Sequence, residues 1–318
     1  MSLAREEFDV VVAGGGWRGL AAALRVRRAQ PEARLLVVEA EAQPGGSVRT
    51  QRTNGFLCEL GPFAFTEAEI AGLAGLLERP PAPIPCLPGA CSGWLFTGLG
   101  LEPLAVDPLP WSYRTGCEDL IQACRRELGG ALRLGRPVTT IDRAEQFLVT
   151  LGGEVPSELL ARELVVALPE PAAGRALGRF DPALAAVADR MTQTAGARVF
   201  FAGQQGDAPA ATGYGIVPDA TSASALRELI FCSEAFPGRA LAGRFLWRAE
   251  LGDLSPTATD EDCLRLAETE VRRWTNCAAP LGLHKVHRFA ELAHDGALVE
   301  CRIRLRDLPQ RVPGLSIA

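Results

Sequence analysis

Two rhythms of apolar positions run through this chain. The valine-rich run Phe8 to Ala13 and the run Leu35 to Glu39 are continuous rather than alternating. Such runs predict parallel strands buried on both faces. Glycines follow the first run, and Leu20 to Ala29 has a helical composition, so the start of the chain reads as a strand–helix–strand unit of about 30 residues. Thr66 to Arg79 predicts a helix, Trp94 to Leu104 a hairpin turning near Gly98 and Gly100, and Glu118 to Leu128 a third helix. Val138 to Ile141 and Phe147 to Leu151 read as strands, and Leu164 to Leu168 as another buried strand closed by Pro169. Farther along the rhythm changes. Alternation in Ala197 to Phe201, Gly213 to Val217, Leu229 to Cys232 and Arg244 to Arg248 predicts a mixed or antiparallel sheet. Asp260 to Trp274 is amphipathic at helical spacing, with Thr259 placed as its N-cap.

Composition adds bounds. The 318 residues, 47% apolar and 22% charged, fit one large or two medium globular domains. Net charge −5 and a pI near 5.5 argue against nucleic acid as a partner, because phosphate binding needs a concentrated basic surface. The basic charge is almost all arginine, and Lys285 is the single lysine. Nine cysteines are scattered without a Cys-x-x-Cys pair, Cys86 and Cys91 being the closest two. They read as free thiols in a reducing cytoplasm. His284 and His287 lack acidic or thiol partners at metal-ligand spacing, so no metal site is expected. Ser2 to Glu7 lack the basic start and apolar core of a signal peptide. The longest uncharged run, Pro80 to Leu101, is long enough to span a bilayer, but Pro80, Pro81, Pro83, Pro85 and Pro88 break a helix. It reads as a linker entering a strand, with weak peripheral membrane contact left open at Trp94, Leu95 and Phe96.

The chemistry lies in the glycines after the first strand. Gly14-Gly15-Gly16-Trp17-Arg18-Gly19 fits Gly-x-Gly-x-x-Gly between a strand and a helix. In such a loop Gly14 permits the tight turn, Gly16 admits a pyrophosphate against the backbone, and Gly19 lets helix and strand approach. The N–H groups of Gly15, Gly16 and Trp17, at the positive end of the helix dipole, are expected to face the anion. Glu39, at the end of the second strand, is the acid expected to accept hydrogen bonds from the adenosine ribose.

A second glycine pair, Gly45-Gly46, follows within the stretch Ala40 to Thr50. This resembles the FAD-dependent amine oxidase and phytoene desaturase superfamily, where that pair lies against the pyrophosphate and flavin. Nicotinamide enzymes do not usually carry it. The segment Gly45 to Phe65 is most similar to the protoporphyrinogen oxidase branch, through Gly46, Thr50, Gly55, Phe56, Glu59, Gly61, Pro62 and Phe65. The resemblance runs over nearly the whole chain. It implies that Gly61 and Pro62 lie close to the isoalloxazine ring, that the Val138 backbone meets the adenine, and that Ala167 lies near the cofactor. The fold class it implies is α/β: a Rossmann-like FAD/NAD(P)-binding domain with a second, mixed-sheet substrate domain. The FAD-binding domain is expected over residues 1–75, 112–172 and 301–318, with a substrate-domain hairpin and linker over 76–111 and the substrate domain over 173–300.

The same resemblance implies oxidation of a tetrapyrrole, a protoporphyrinogen or coproporphyrinogen, with flavin taking the hydride and oxygen accepting the electrons. No catalytic acid or base is assigned, since the flavin supplies the redox chemistry, and Glu59, Arg114, Tyr214 and Cys58 read as structural. The chain departs from the family pattern in three places. Between Val106 and Ser112 it lacks the helical insertion that covers the tetrapyrrole. Arg288-Phe289 stands where the family has Arg-Trp, with no matching tyrosine after it. The sequence stops at Ala318, where the family continues with a glycine motif; either the sequence is truncated there and the motif follows, or its loss is expected to weaken FAD binding. A non-catalytic flavin-binding or scaffold paralogue, and an isoprenoid desaturase-type flavoenzyme, therefore remain as alternatives.

Overall fold

The computed structural model describes residues 5–208 and 211–318. Residues 2–4 of the stretch read for a targeting signal lie outside them. The chain opens with β1 (Arg5–Ala13), α1 (Trp17–Ala29) and β2 (Leu35–Val38). A ribbon of β3 (Thr50–Thr53) and β4 (Phe56–Glu59) precedes α2 (Glu67–Ala74) and β5 (Pro83–Pro85). Next come β6 (Ser92–Phe96), β7 (Leu101–Ala105), β8 (Trp111–Tyr113), α3 (Glu118–Leu128) and β9 (Leu132–Arg133). The chain then forms β10 (Val138–Arg143), β11 (Phe147–Leu151), β12 (Ser157–Val166), α4 (Glu170–Ala176) and α5 (Pro182–Arg190). The second half holds β13 (Gln193–Gln204), β14 (Gly215–Pro218), β15 (Leu226–Ile230), α6 (Cys232–Ala235), β16 (Arg244–Leu254) and α7 (Asp260–Thr275). It closes with β17 (Gly282–Leu292), α8 (Gly296–Asp307) and β18 (Leu315–Ile317).

Among the described residues, β10-β11-β12-β1-β2-β9 form one sheet, with β18 added beside β12. β1 is parallel to both β12 and β2, so it is buried on both faces. Val10 and Val12 meet the core under α1, α2 and α3, while Val11 and Ala13 meet the core under α4, α5 and α8. This two-sided cover is why Phe8 to Ala13 carries no polar alternation beyond Asp9. The chain leaves β1 toward β2 and later returns to β12 on its other side. The carboxyl end of β1 is thus a topological switch point, where open α/β sheets bind ligands.

The second sheet has the order β17-β13-β16-β15-β14-β6-β7. One face packs on α7 through Trp247, Trp274 and Phe245, and the other on Phe56, Cys58, Phe63 and Phe236. Thr259 caps α7 as expected, in a capping box with Asp262. β17 is an outer strand, and its Lys285 lies opposite Phe200 of β13.

Several expectations shift. The helix expected from Thr66 stops at Gly75, whose lack of a side chain favours ending it before the prolines. α4 and α5 were not anticipated, and they pack on the first sheet although 173–300 reads as the second domain in the sequence. Their alanine-rich faces give little hydrophobic contrast. Trp94, Leu95 and Phe96, where membrane contact was left open, have partners within the second sheet. They occupy β6, an inner strand between β14 and β7, where Phe96 is buried and stacked on Trp274 at 5.3 Å. Trp94 and Leu95 are half-buried. Among the described residues no helix is long and apolar enough to cross a membrane.

Candidate functional site

The turn after β1 is built by steric exclusion. Gly14 has φ +107°, and a Cβ there would lie 2.4 Å from the Ala167 carbonyl oxygen. At Gly19 a Cβ would lie 1.9 Å from the Gly14 oxygen, so the first turn of α1 sits directly on the loop. Gly16 is the extended N-cap of α1. The Gly15 N–H was expected to be free to face an anion; instead it donates to Glu39 Oε2 at 2.7 Å. The reason is proximity: a Cβ on Gly15 would lie 2.8 Å from the Glu39 Cβ. Glu39 Oε1 accepts from the Glu41 N–H at 2.9 Å. A carboxylate has about four lone-pair sites, so Glu39 retains acceptor capacity. The Gly16 and Trp17 N–H groups stand at the helix start, where the first donors have no intrahelical partner and the dipole is positive.

The second glycine pair meets this loop directly. The Gly45 N–H donates to the Gly15 oxygen at 2.8 Å, and Gly16 and Gly45 pair as an isolated parallel bridge. Both glycines have positive φ, +112° and +60°, which larger residues rarely adopt. Arg49 clips the segment shut. Its Nη1 donates to the Pro44 oxygen at 2.7 Å and its Nη2 to the Gln43 oxygen at 3.0 Å.

These elements wall a cleft of about 1400 Å³. Gly14, Gly16, Trp17 and Glu39 line one stretch, Gly45 and Gly46 another, and Val138 and Ala167 a third. The structure does not put all the expected residues on the wall. Gly15 and Gly19 shape the loop from behind. Gly61 sits one layer back, where a Cβ would lie 1.7 Å from the Ser47 oxygen, and it is Ser47 that reaches the cleft. Pro62 follows Gly61 and likewise lies off the wall. Arg49, Arg136 and the Arg302–Glu170 ion pair (2.8 Å), none of them expected from the sequence, also line the cleft. Arg49 had a signal in its spacing from Gly46; Arg302 had none, because α8 was not anticipated.

Behind Gly61 lies a buried charged network. Glu59 is buried; its Oε2 accepts from Thr50 Oγ1 at 2.7 Å and its Oε1 from the Cys117 N–H at 2.9 Å. Arg239, equally buried, approaches Glu59 to 3.6 Å and donates to Ser112 Oγ and the Tyr113 oxygen. Burial pushes the Glu59 carboxyl above the usual range, although Arg239, Thr50 and Cys117 pull it back. Arg248 of β16 donates to the Gly61 oxygen at 2.8 Å and to Glu228 at 2.5 Å, tying the second sheet to the Glu59–Pro62 segment. Arg198 does the same at Leu60 and lies over the Phe289 ring at 4.2 Å. Burial pushes the Cys58 thiol up to about 12, so it packs as an inert group.

A dinucleotide fits these walls. Nothing lies within 4 Å of where a Gly16 side chain would begin, so the backbone faces open space in the cleft. Residues 12–77 match the NAD(P)-binding Rossmann-like domain and residues 86–299 the flavin containing amine oxidoreductases. Over 104 residues the chain is 36% identical to the mitochondrial electron transfer flavoprotein-ubiquinone oxidoreductase of Caenorhabditis elegans, covering 28% of this chain and 17% of that one. Over 63 residues it is 40% identical to chloroplastic protoporphyrinogen oxidase 1 of Arabidopsis thaliana, covering 19% of this chain and 12% of the other. These matches span well under a fifth of each curated relative. The fold resembles the crystal structure of an Exiguobacterium sp. 255-15 protein provisionally named protoporphyrinogen oxidase. The TM-score is 0.76 at 17% identity, over 100% of this chain and 94% of that one. With well over half its length matched to the family, this chain belongs to the flavin containing amine oxidoreductases, and its cofactor is FAD.

Proposed function

We propose that this oxidoreductase dehydrogenates a porphyrinogen to a porphyrin, with oxygen as the final acceptor. The observation that carries the reading is the Gly45–Phe65 segment. Its sequence resembles that of the porphyrinogen oxidases, and it folds as one unit against the phosphate loop, held by Arg49, Arg198 and Arg248. The names of the Arabidopsis and Exiguobacterium proteins support the same substrate class.

In this reading Glu39 and Val138 hold the adenosine end of FAD. The Gly16 and Trp17 N–H groups, with Gly45 and Gly46, hold the pyrophosphate. Gly14, Gly15 and Gly19 fix the loop, and Ala167 closes its far side. Gly61 and Pro62 act through Ser47, supporting the wall from behind. FAD supplies the hydride acceptor and the route of electrons to oxygen. The chain contributes orientation and exclusion of water: Phe63 packs with Phe236 at 5.5 Å and edge-on to Tyr214 at 5.9 Å beside the Gly61–Pro62 turn. No residue is assigned as acid or base, because both Glu59 oxygens are already engaged. Nine free thiols suit a reducing cytoplasm.

The same dense aromatic packing favours a second reading, flavin binding without turnover. The absorption spectrum of the purified protein, followed by anaerobic addition of protoporphyrinogen or coproporphyrinogen, separates the two. Flavin absorption that bleaches with either compound is expected. Bound flavin that stays oxidised removes the substrate reading and leaves the cofactor site; protein that takes up no flavin removes both.

A further inference from the structure

We propose that the Arg18 side chain binds the diphosphate of FAD, completing the anion site that the Gly16 and Trp17 N–H groups begin. Arg18 is the second residue of α1 and lines the cleft beside Gly16 and Trp17. Four other arginines line the same cleft, and each is tied to a protein oxygen. Arg49 donates to the Pro44 and Gln43 oxygens, Arg136 to Ser157 Oγ, Arg302 to Glu170 and Arg306 to Asp307. Arg18 is exposed on the cleft wall and has no hydrogen-bond or ion-pair partner among the described residues. Of the five, it is the guanidinium left for a ligand.

Its placement also runs against a local rule. The first turn of a helix favours acidic side chains, because that end of the dipole is positive. Glu67 in α2, Glu118 in α3 and Asp260 in α7 follow the rule. The first turn of α1 has no acid and holds Arg18 instead. A cation there is unfavourable by itself and becomes favourable beside a bound anion. The doubly esterified diphosphate of FAD carries two negative charges, and the planar guanidinium fork presents two parallel donors to a pair of phosphate oxygens. Nothing lies within 4 Å of where a Gly16 side chain would begin, so the loop leaves room for the diphosphate between backbone and guanidinium. The inference rests on the placement of the diphosphate at the glycine loop and not on the porphyrinogen reading.

The test titrates the deflavinated full-length wild type, Arg18→Gln and Arg18→Lys with FAD, followed by flavin fluorescence at low and at high ionic strength. ADP-ribose, which has the adenosine and diphosphate of FAD but no flavin, and adenosine, which has no phosphate, are measured as competitors. Arg18→Gln is expected to weaken FAD roughly tenfold at low salt and to flatten the salt dependence of binding. Arg18→Lys keeps the charge without the fork and is expected to fall between the two. ADP-ribose should weaken as FAD does, and adenosine should bind all three proteins alike. The melting temperature of deflavinated Arg18→Gln should not fall, because a cation leaves the positive end of α1. The proposal is overturned if Arg18→Gln binds FAD and ADP-ribose as tightly as wild type, if adenosine weakens equally, or if stability falls in step with affinity. Glu39→Ala and Gly16→Ala test the loop placement separately. If they weaken FAD while Arg18→Gln does not, the role of Arg18 alone fails; if none of the three does, the placement fails with it.

Discussion

The Gly15 N–H donates to Glu39 Oε2 at 2.7 Å, so the acid ending β2 is part of the phosphate loop itself. A change at Glu39 therefore acts twice, on the ribose it is proposed to hold and on the loop. Glu39→Ala should remove a charge-assisted hydrogen bond of about 1.5–3 kcal/mol and weaken FAD binding roughly tenfold to a hundredfold. Titration of the deflavinated protein with FAD, followed by flavin fluorescence, measures this. An unchanged dissociation constant removes Glu39 from the site.

Gly16 and Gly19 make a matched pair. Gly16 faces open cleft at φ −64°, so Gly16→Ala should leave thermal stability nearly unchanged yet obstruct the pyrophosphate. At Gly19 the added methyl meets the Gly14 oxygen, and Gly19→Ala should destabilise by about 1–3 kcal/mol through overpacking. Melting temperature and FAD affinity, measured on both variants, should move in this crossed pattern. Equal loss of stability in the two would contradict it.

Among the described residues, Arg239 is the one guanidinium within 4 Å of the Glu59 carboxylate, while Arg248 reaches only the Glu59 backbone oxygen. Arg239→Met fits the volume but leaves Glu59 buried without its cation. A loss of about 3–5 kcal/mol is expected in urea unfolding, the range for breaking one half of a buried pair. A loss under about 1 kcal/mol would mean that Thr50 and Cys117 satisfy the carboxyl alone.

Glu59 also sets a pH dependence. Burial raises its carboxyl in the folded chain above the unfolded value of about 4.3. The folded state then binds more protons between the two values, so stability falls as pH rises. Its contribution is fully present below about pH 4.3 and is lost as pH climbs through the folded value. Wild type should therefore lose stability relative to Glu59→Gln as pH rises from about 4 upward. Parallel unfolding curves across that range would contradict the shift.

The parts of the fold that were legible in the sequence are those governed by local rules. β1, α1 and β2 follow from continuous valine and a glycine loop, α3 from its amphipathic stripe, and α7 from Thr259 at its cap. α8 was hidden because Val299 and Ile303 are apolar yet exposed, which blurs the stripe of Leu298, Cys301 and Leu305. Arg239 and Arg248 were hidden for a different reason. An arginine in a strand-like run reads as surface until the fold supplies Glu59, Glu228 and the Gly61 carbonyl from distant segments. The shape of the loops was legible where glycine is required by backbone geometry, at Gly14 and Gly45-Gly46. It was not legible for Gly61, whose partner is the Ser47 oxygen rather than the cleft.

Lys285 gives the molecule a built-in clock. A lysine-specific protease has one site in the whole chain, within an outer strand that is paired to β13 and so does not fit an extended protease groove. Cleavage waits for β17 to peel away, and its rate counts those openings. Ala290 of the same strand lines the cleft, so a ligand bound there is expected to slow the appearance of the one gel band that reports fraying of the second sheet.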